Sequence, residues 1–376
     1  MSVVVGVLTE TAAKETRVAL VPEIATKLKS AGVRVLMERG AGLQAHFPDA
    51  LYTEAEFGDA ATILGSADVI LKVQPPTLTE VAAIKRGAVI VGFMQAYARP
   101  DLVRALQERG ITSFAMELVP RISRAQSMDA LSSQSSVTGY KAALIAANAL
   151  ERFLPMLTTA AGTIRPAAVL VIGAGVTGLQ AIATVKRLGA VVEAYDVRSA
   201  TKDQVKSLGA KFVDTGVTAE GAGGYARELT AEEKAKQQEV LDARIAASDA
   251  VICTASVPGR PAPRIVSRAA VERMKAGSVL VDTAAEQGGN CELTQAGETI
   301  LHGGVKIIGP VNLPASLPYH ASEMYSRNLF NFLKPALPKG ELIIDWNDEV
   351  FAGAVLTHDG QIKHEATRTA VEGSKT

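Results

Sequence analysis

The sequence predicts an α/β protein of two domains, each built around a parallel β-sheet. Its 376 residues are too many for one ordinary hydrophobic core and enough for two domains of typical size. Short strands rich in β-branched residues alternate with amphipathic helices and glycine-containing turns, which is the pattern of βαβ units. This alternation runs through the chain twice, so we expect one mostly parallel sheet in each half.

The first half contains five strand-like segments: Val3–Leu8, Val33–Glu38, Asp68–Val73, Ala88–Met94 and Ile111–Glu117. A helix is predicted to open at Pro22, because proline is favoured in the first turn, and to be closed by Gly32. A second helix over Asp101–Arg109 has apolar residues at helical spacing and stops before Gly110.

The second half shows the same pattern more clearly, with strands at Ala168–Ile172, Val191–Tyr195, Asp249–Ala255, Ser278–Val281 and Val305–Ile308. A helix over Val176–Leu188 is predicted to end at Gly189. The stretch from Phe212 to Ile245 is too long for a simple crossover and contains Gly221, Gly223 and Gly224 before a charged helix. We interpret it as an insertion or a flexible loop.

Two long helical patterns bracket the second half. Gly139–Leu154 leads into it, and Ala321–Leu333, stopped by Pro335, leads out. The tail after Glu341 alternates apolar and polar residues around Asp359-Gly360, which indicates a β-hairpin. A chain often returns to its first domain after an inserted unit, so we place the tail there. The predicted domains are 1–138 with 320–376, and 139–319.

A glycine-rich motif, Gly173-Ala174-Gly175-Val176-Thr177-Gly178, follows the first strand of the second half and opens the next helix. Gly173 permits a tight turn, Gly175 lets the backbone approach a pyrophosphate, and Gly178 allows close packing of helix on strand. The pyrophosphate would meet unpaired N–H groups at the positive end of the helix dipole. The motif therefore predicts a Rossmann dinucleotide site, with Val176 among its contacts.

Asp196 ends the following strand, where an acid accepts hydrogen bonds from the adenosine ribose. Its charge would repel a 2′-phosphate, which favours NAD(H) over NADP(H). Val197 and Arg198 follow, and the arginine complicates this preference because a guanidinium can bind a 2′-phosphate. The first strand of the chain runs into Thr9-Glu10-Thr11 and offers no glycine. We therefore expect the first domain to be Rossmann-like without a phosphate loop, and one chain to hold one dinucleotide.

Composition argues against several other classes of function. Lys plus Arg equals Asp plus Glu at 39 each, so the net charge does not indicate nucleic acid or an anionic membrane as a partner. No apolar run approaches the roughly 20 residues that span a bilayer, and the N-terminus lacks the features of a signal peptide. Cys253 and Cys291 have no metal-ligand spacing, so we expect two reduced thiols in a cytosolic protein and no metal site.

The segment from Arg121 to Ser136, RISRAQSMDALSSQSS, resembles the signature of the NAD(H)-binding domain I, or α1 subunit, of proton-translocating transhydrogenase. The resemblance covers essentially the whole chain. It includes Glu15-Thr-Arg-Val-Ala19, Leu71-Lys-Val73, Thr159-Ala-Ala-Gly162, Gln180-Ala-Ile-Ala-Thr184, Lys186-Arg-Leu-Gly-Ala190 and Gly288-Gly-Asn-Cys291.

Alanine dehydrogenase is the related family that must be excluded. It uses an arginine and a lysine to hold a keto-acid carboxylate and a histidine to shuttle the proton. Arg17 and Lys72 stand in the matching contexts and are either binders or inherited charges with structural partners. Gln95 stands where the dehydrogenase would place its proton-shuttling histidine. An amide cannot exchange a proton near neutral pH as an imidazole does. Glu286 stands where the dehydrogenase has an aspartate near the nicotinamide.

The resemblance implies specific site residues. Arg121, Gln126, Asp129 and Ser132 would contact the nicotinamide ring, ribose or phosphate, the first three as catalytic residues and Gln126 as a bridge to NADP(H). The alternative for Arg121 and Asp129 is an ordinary ion pair in a loop. Tyr225 matches a mobile loop that closes on the nucleotide, or else is a surface tyrosine. Thr254 and Ala255, after a strand end, would line the nicotinamide half-site or merely form a turn.

The resemblance also implies the assembly. It implies a Re/Si-specific, proton-translocating NAD(P)⁺ transhydrogenase that is active only with its partner subunits. NADP(H) would be carried by a separate domain III, and protons would cross through a membrane domain II. The chain would be a homodimer in the cytoplasm, peripheral to the cytoplasmic membrane through these partners.

Overall fold

The computed structural model describes residues 2–217, 230–257 and 259–373. The chain divides into two compact units: unit 1 comprises Met1–Gln134 with Pro314–Thr376, and unit 2 comprises Ser135–Leu313. The divisions at 134/135 and 313/314 lie near the predicted junctions at 138/139 and 319/320. Each unit has its own mostly parallel sheet, and the predicted α/β class is confirmed.

The sheet of unit 1 has eight strands: β1 (Val4–Val7), β2 (Arg34–Glu38), β3 (Glu56–Gly58), β4 (Val69–Leu71), β5 (Val89–Gly92), β6 (Thr112–Ala115), β16 (Val355–His358) and β17 (Gln361–Ile362). Their order is β17-β16-β6-β5-β4-β1-β2-β3. The strands β1 to β6 pair in parallel, in the 3-2-1-4-5-6 order of a doubly wound sheet. The chain therefore reverses its winding direction between β1 and β4.

Seven helices belong to the described part of unit 1: α1 (Pro22–Ser30), α2 (Ala60–Ser66), α3 (Leu78–Ala83), α4 (Pro100–Arg109), α10 (Pro318–Leu333), α11 (Glu349–Ala354) and α12 (Glu365–Glu372). The central strands β4, β5 and β6 are fully buried, and two apolar clusters cover the sheet. Helix α1 begins at Pro22 and Gly32 follows its end with φ +87°, as the sequence predicts.

The tail forms the predicted hairpin. Strand β16 pairs antiparallel with β17 and with β6, so the tail extends the sheet of unit 1. The turn residues Asp359 and Gly360 both have positive φ, +49° and +68°. This is the conformation that a two-residue type I′ turn requires and that an Asp-Gly pair tolerates.

The main sheet of unit 2 has seven strands: β9 (Ala168–Ile172), β10 (Val191–Tyr195), β11 (Lys211–Phe212), β12 (Ala250–Cys253), β13 (Val279–Asp282), β14 (Thr299–His302) and β15 (Val305–Ile308). Their order is β11-β10-β9-β12-β13-β15-β14, with only β14 antiparallel. A separate two-stranded hairpin joins β7 (Leu157–Thr159) to β8 (Gly162–Ile164). With β14 set aside, the order is again 3-2-1-4-5-6, and the switch point lies between β9 and β12.

The described helices that begin or lie in this part of the chain are α5 (Ala130–Ala149), α6 (Val176–Arg187), α7 (Lys202–Ser207), α8 (Ala231–Ala247) and α9 (Arg268–Glu272). Helix α5 begins at Ala130 and not at the predicted Gly139. A Cβ on Gly139 would lie 2.1 Å from the carbonyl oxygen of Thr177, so this glycine permits close helix packing and does not mark a helix start. Among the described residues, no helix is long and apolar enough to cross a membrane.

Candidate functional site

Two loops meet at the switch point of unit 2, beyond the carboxyl ends of β9 and β12. Gly173 follows β9, and Thr254 follows β12. The Thr254 hydroxyl donates to the carbonyl oxygens of Gly173 at 3.0 Å and Ile172 at 3.2 Å. Ligands of open α/β sheets bind at this position. The structure thus brings the predicted glycine loop and the predicted Thr254-Ala255 loop to one edge of the sheet.

The glycine loop has the geometry of a phosphate cradle. Gly173 has φ +97°, and a Cβ on it would lie 2.6 Å from the Thr254 hydroxyl. A Cβ on Gly178 would lie only 1.8 Å from the carbonyl oxygen of Gly173. Helix α6 starts at Val176, and its N-cap, Gly175, makes no side-chain capping bond. The first N–H groups of this helix are therefore left for an anion, as the motif predicts.

Asp196 lies directly after β10 and is only 8% exposed. Its Oδ2 accepts from the Ala174 N–H at 2.7 Å, which ties the acid to the glycine loop. Arg198 donates to it through its backbone N–H, Nε and NH2 nitrogen, each at 2.9 Å. Burial raises the pKa of Asp196, but these hydrogen bonds outweigh burial and hold the pKa below its usual 3.8. The group is therefore a carboxylate at neutral pH.

Asn290 holds the loop after β12, and sequence reasoning did not single out its role. Its side chain is fully buried and forms two hydrogen bonds with the backbone of Ala255. Oδ1 accepts from the Ala255 N–H at 3.1 Å, and Nδ2 donates to the Ala255 oxygen at 2.8 Å. Nδ2 also donates to the Pro263 oxygen at 2.9 Å. The signal was present in the motif Gly288-Gly-Asn-Cys291, but a buried asparagine is identified as a clamp only by its partners.

Three of the remaining predicted residues of unit 2 lie in the described part of the chain. Glu286 sits in a short 3₁₀ helix after β13, is exposed, and accepts from the Asn312 N–H at 3.1 Å. Val176 is 42% exposed at the first position of α6, and Val197 is half-buried beside Asp196. Tyr225 and the glycines at 221, 223 and 224 lie outside the described residues.

The switch point of unit 1 is filled by the protein's own charges. Glu10, after β1, accepts from the N–H groups of Val73 at 2.6 Å and Gln74 at 3.2 Å, after β4. Lys72 is 1% exposed and lies 3.0 Å from Glu80 and 3.5 Å from Glu10. Burial raises the pKa of Glu10, opposed by Lys72 and by the two backbone N–H groups. The side chain of Glu10 thus occupies the place where unit 2 has its glycine loop.

Arg17 also has partners within unit 1. It forms a two-pronged ion pair with Glu15, at 2.8 and 2.7 Å, and donates to Gln134 at 2.7 Å. Gln74 donates to the same Glu15 at 2.7 Å, and Gln95 donates to Gln74 at 3.2 Å. These contacts favour the interpretation of Arg17 and Lys72 as structural charges. Position 95, with φ +50°, ends this chain of hydrogen bonds with an amide, so it supplies no proton shuttle.

The signature segment forms a 3₁₀ helix, Ser123–Met128, that leads into α5. Arg124 pairs with Asp348 at 2.9 and 2.7 Å, and Asn328 donates to the Ser127 oxygen at 2.9 Å. These contacts fix the segment to unit 1. Arg121 and Gln126 are exposed on it.

Asp129 and Ser132 contact each other. The Asp129 carboxylate accepts from the Ser132 N–H at 2.9 Å and from its hydroxyl at 2.6 Å, at the start of α5. The resemblance implies that Ser132 belongs to the loop that begins at Arg121, but the structure places it in the first turn of α5. The two hydrogen bonds follow the bonding pattern of a helix N-cap at the start of α5.

The doubly wound sheet, the glycine loop at its switch point and the acid after the next strand define unit 2 as a Rossmann nucleotide-binding domain, and unit 1 repeats the fold with that loop replaced. The chain belongs to the alanine dehydrogenase/PNT family. The family model described as "Alanine dehydrogenase/PNT, N-terminal domain" matches residues 6–138, and that of the C-terminal domain matches residues 142–365. Membership implies a nicotinamide dinucleotide as the ligand.

The relatives of this chain include transhydrogenase subunits and alanine dehydrogenases, and the transhydrogenase subunits are more similar to it. The first part of the NAD(P) transhydrogenase subunit alpha of Rhodospirillum rubrum is 47% identical over 94% of this chain and 95% of that protein. The alanine dehydrogenase of Bacillus subtilis is 29% identical over 96% of this chain and 93% of that enzyme. A crystal structure of transhydrogenase from Sinorhizobium meliloti matches with a TM-score of 0.88 and 45% identity, covering 96% of this chain and 99% of that one.

Proposed function

We propose that this chain is the NAD(H)-binding component of a Re/Si-specific, proton-translocating nicotinamide nucleotide transhydrogenase. In this function, hydride passes between NAD(H) on this chain and NADP(H) on a partner. One observation carries the choice over the dehydrogenase of the same family: Gln95 supplies an amide where proton transfer needs an imidazole. Hydride exchange between two nicotinamides moves no proton at the reacting carbons, so it needs no such group.

The geometry of unit 2 supports the binding part of the proposal. A bound NAD(H) would supply the hydride-carrying carbon of its nicotinamide ring. The open N-terminus of α6 would hold the pyrophosphate, and Asp196 would accept the ribose hydroxyls of the adenosine end. Thr254 and Ala255, clamped by Asn290, would form the wall of the nicotinamide end. Glu286 is proposed as a further contact near the ring.

The signature segment supplies the residues proposed for the hydride step. Arg121 and Gln126 are exposed on a turn that the Arg124–Asp348 ion pair ties to the start of α11. Gln126 has a neutral amide that both donates and accepts, and we propose that it orients the second nucleotide. We propose that Asp129, held by its hydrogen bonds to Ser132, acts beside Arg121 and Gln126 in this step. What the protein contributes is orientation of the rings and exclusion of water.

The proposed preference for NAD(H) is tested by a titration of NADH and NADPH followed by nucleotide fluorescence. Asp196 is ionised and buried, so an added 2′-phosphate should weaken binding by well over tenfold. Asp196→Asn removes the charge with little change in shape and should narrow this gap. Equal affinities in the wild-type protein would contradict the preference.

The dehydrogenase alternative has a direct test. With alanine and NAD⁺, the purified chain should form no NADH above the level of a blank without protein. Lactate dehydrogenase with its own substrate serves as the control for the optical signal. Robust turnover with alanine would refute the proposed function.

The proposed partners are a membrane domain that conducts protons and a domain that binds NADP(H). The chain would dock peripherally on them at the cytoplasmic face of the membrane. The relatives named as transhydrogenase alpha subunits support a multisubunit enzyme. Co-sedimentation with membranes that contain these partners, and its loss in membranes that lack them, would test the docking.

We also propose a homodimer, and the β7–β8 hairpin is its proposed interface. An isolated two-stranded hairpin is marginally stable in water, and this one pairs with no other described strand. Phe153, Met156 and Ile164 on and beside it are 54%, 65% and 47% exposed. A second copy of the same hairpin would cover these apolar groups by isologous pairing.

Ile164→Lys should therefore shift the mass at micromolar concentration from dimer to monomer. Leu301→Lys, at an apolar residue of β14 that is 71% exposed, is the matched control and should leave the dimer intact. A strict monomer in the wild-type protein would contradict the dimer, and an intact dimer in Ile164→Lys would contradict the interface.

A further inference from the structure

The carboxylate of Asp196 is saturated with hydrogen bonds in this structure. A carboxylate has about four acceptor positions. Two are filled by backbone N–H groups, from Ala174 and from Arg198. The other two are filled by the Arg198 side chain, with Nε on Oδ1 and the NH2 nitrogen on Oδ2, both at 2.9 Å. The adenosine ribose of a dinucleotide would need these same two positions.

The Arg198 guanidinium lies at the entrance to the phosphate cradle. Its NH2 nitrogen is 3.8 Å from the place where a Cβ on Gly175 would stand. The Arg198 side chain is 32% exposed, whereas that of Asp196 is 6% exposed. The arginine can therefore move into solvent, while the acid is held in place by its two backbone partners.

We propose that Arg198 is an internal competitor for the adenosine ribose: its guanidinium occupies two acceptor positions of Asp196 and must leave them before the ribose can bind. The proposal rests on the proposed NAD(H) function of unit 2 and adds a specificity-determining residue to it. When two ribose hydroxyls replace the guanidinium, the Arg198–Asp196 ion pair is lost. Arg198 therefore lowers the affinity for every ligand that carries an adenosine ribose. Ligands that lack this ribose do not meet the competition.

The displaced guanidinium also has a consequence for selectivity. Withdrawn from Asp196, it lies beside the ribose edge where NADPH carries its 2′-phosphate. It then offsets part of the repulsion that Asp196 exerts on that phosphate. Removal of the arginine should therefore widen the preference for NADH over NADPH as well as tighten NADH binding.

The test uses the full chain and two substitutions. Arg198→Met keeps the length of the side chain but removes the guanidinium. Arg198→Lys keeps the charge but loses the fork that bridges both oxygens. Calorimetric titration with NADH, ADP-ribose and reduced nicotinamide mononucleotide separates the two halves of the site, because only the first two contain the adenosine ribose. Thermal melting of each variant checks that unit 2 remains folded.

In Arg198→Met, NADH and ADP-ribose should bind about fivefold more tightly, which corresponds to about 1 kcal/mol and to the loss of a partly exposed ion pair. The mononucleotide should bind with unchanged affinity. Arg198→Lys should give a smaller gain than Arg198→Met. Binding of ADP-ribose that is unchanged or weaker in Arg198→Met, or an equal gain for the mononucleotide, would overturn the proposal.

A failure of the NAD(H) function and a failure of the competition by Arg198 give different binding results. If the wild-type chain binds neither NADH nor ADP-ribose, the proposed function of unit 2 is wrong and the competition has no ligand. If the wild-type chain binds both and Arg198→Met weakens them, the NAD(H) site stands and the arginine is a direct ligand contact, so only the inference about competition is wrong.

Discussion

Gly178 is the residue whose substitution tests the geometry of the nucleotide cradle most sharply. In Gly178→Ala the new methyl group would stand 1.8 Å from the carbonyl oxygen of Gly173 and 3.0 Å from the Thr254 hydroxyl. Ordinary contact begins at 3.4 Å, so the start of α6 and the loop must separate by about 1.6 Å, the difference between the two distances. Because the obstructing atom is backbone, no side-chain rotation can relieve the contact.

Two effects on stability oppose each other in this variant. Alanine in place of glycine inside a helix gains roughly 1 kcal/mol. Overpacking of this severity costs about 3 kcal/mol, the upper part of the usual range. The clash therefore wins, and we expect a net loss of about 2 kcal/mol, or roughly 4–8 °C in the melting temperature of a domain of this size.

The effect on binding should be larger than the effect on stability. A displacement above 1 Å breaks the contacts between the α6 N–H groups and the pyrophosphate, each worth about 1.5–3 kcal/mol. NADH titration should therefore show at least a tenfold loss of affinity. Gly65→Ala is the matched control, since a Cβ there meets no atom within 4 Å in α2. It should preserve NADH binding and cost no stability. Wild-type affinity and melting in Gly178→Ala would refute the cradle.

Three further predictions concern other parts of the site and of unit 2. Gln126→Asn should leave NADH affinity intact and slow hydride transfer on the order of 100-fold, because rings misplaced by about 1 Å react slowly; the reverse pattern in stopped-flow and titration data would contradict its role. Asn290→Ala should weaken the mononucleotide more than ADP-ribose, since it releases Ala255; equal losses would argue against the clamp. Asp249→Asn should lower the free energy of unfolding by about 1–3 kcal/mol at pH 7. Burial raises the pKa of Asp249, but the hydrogen bonds from the Ala168 N–H and from Lys275 outweigh burial, so the pKa lies below 3.8. The stabilisation by Asp249 is thus present above pH 3.8 and is lost as the pH falls through the lowered pKa of the folded protein. Thermal melts of the wild type and of Asp249→Asn should therefore converge at acidic pH.

The parts of the fold that follow from sequence are those with a strong local pattern. Strands β9, β10 and β15 lie at their predicted bounds, because each is a short segment rich in β-branched residues between turn signals. The start of α6 and the hairpin at Asp359-Gly360 follow from glycine chemistry. These elements fix the switch point of unit 2, and with it the position of the glycine loop.

The parts that sequence reasoning missed depend on contacts between distant residues. Strand β3 has three half-buried or exposed residues at a sheet edge, and β14 exposes its apolar Leu301, so neither carries the apolar pattern of a buried strand. The serine-rich start of α5 has weak helical propensity and is held by the Asp129 cap. Similarly, the sequence places Arg198 near Asp196 but does not say that the two are bonded. Only the hydrogen bonds of the folded chain show that.

Hydride transfer in a reconstituted complex tests the central claim most directly. The chain would be mixed with the NADP(H)-binding component of a transhydrogenase, and transfer from NADH to an optically distinct analogue of NADP⁺ would be followed by stopped flow. The proposed function predicts rapid transfer that needs both proteins and falls sharply in Gly178→Ala, while Gly65→Ala behaves like the wild type. A chain that binds NADH tightly, associates with that component and still transfers no hydride would contradict it.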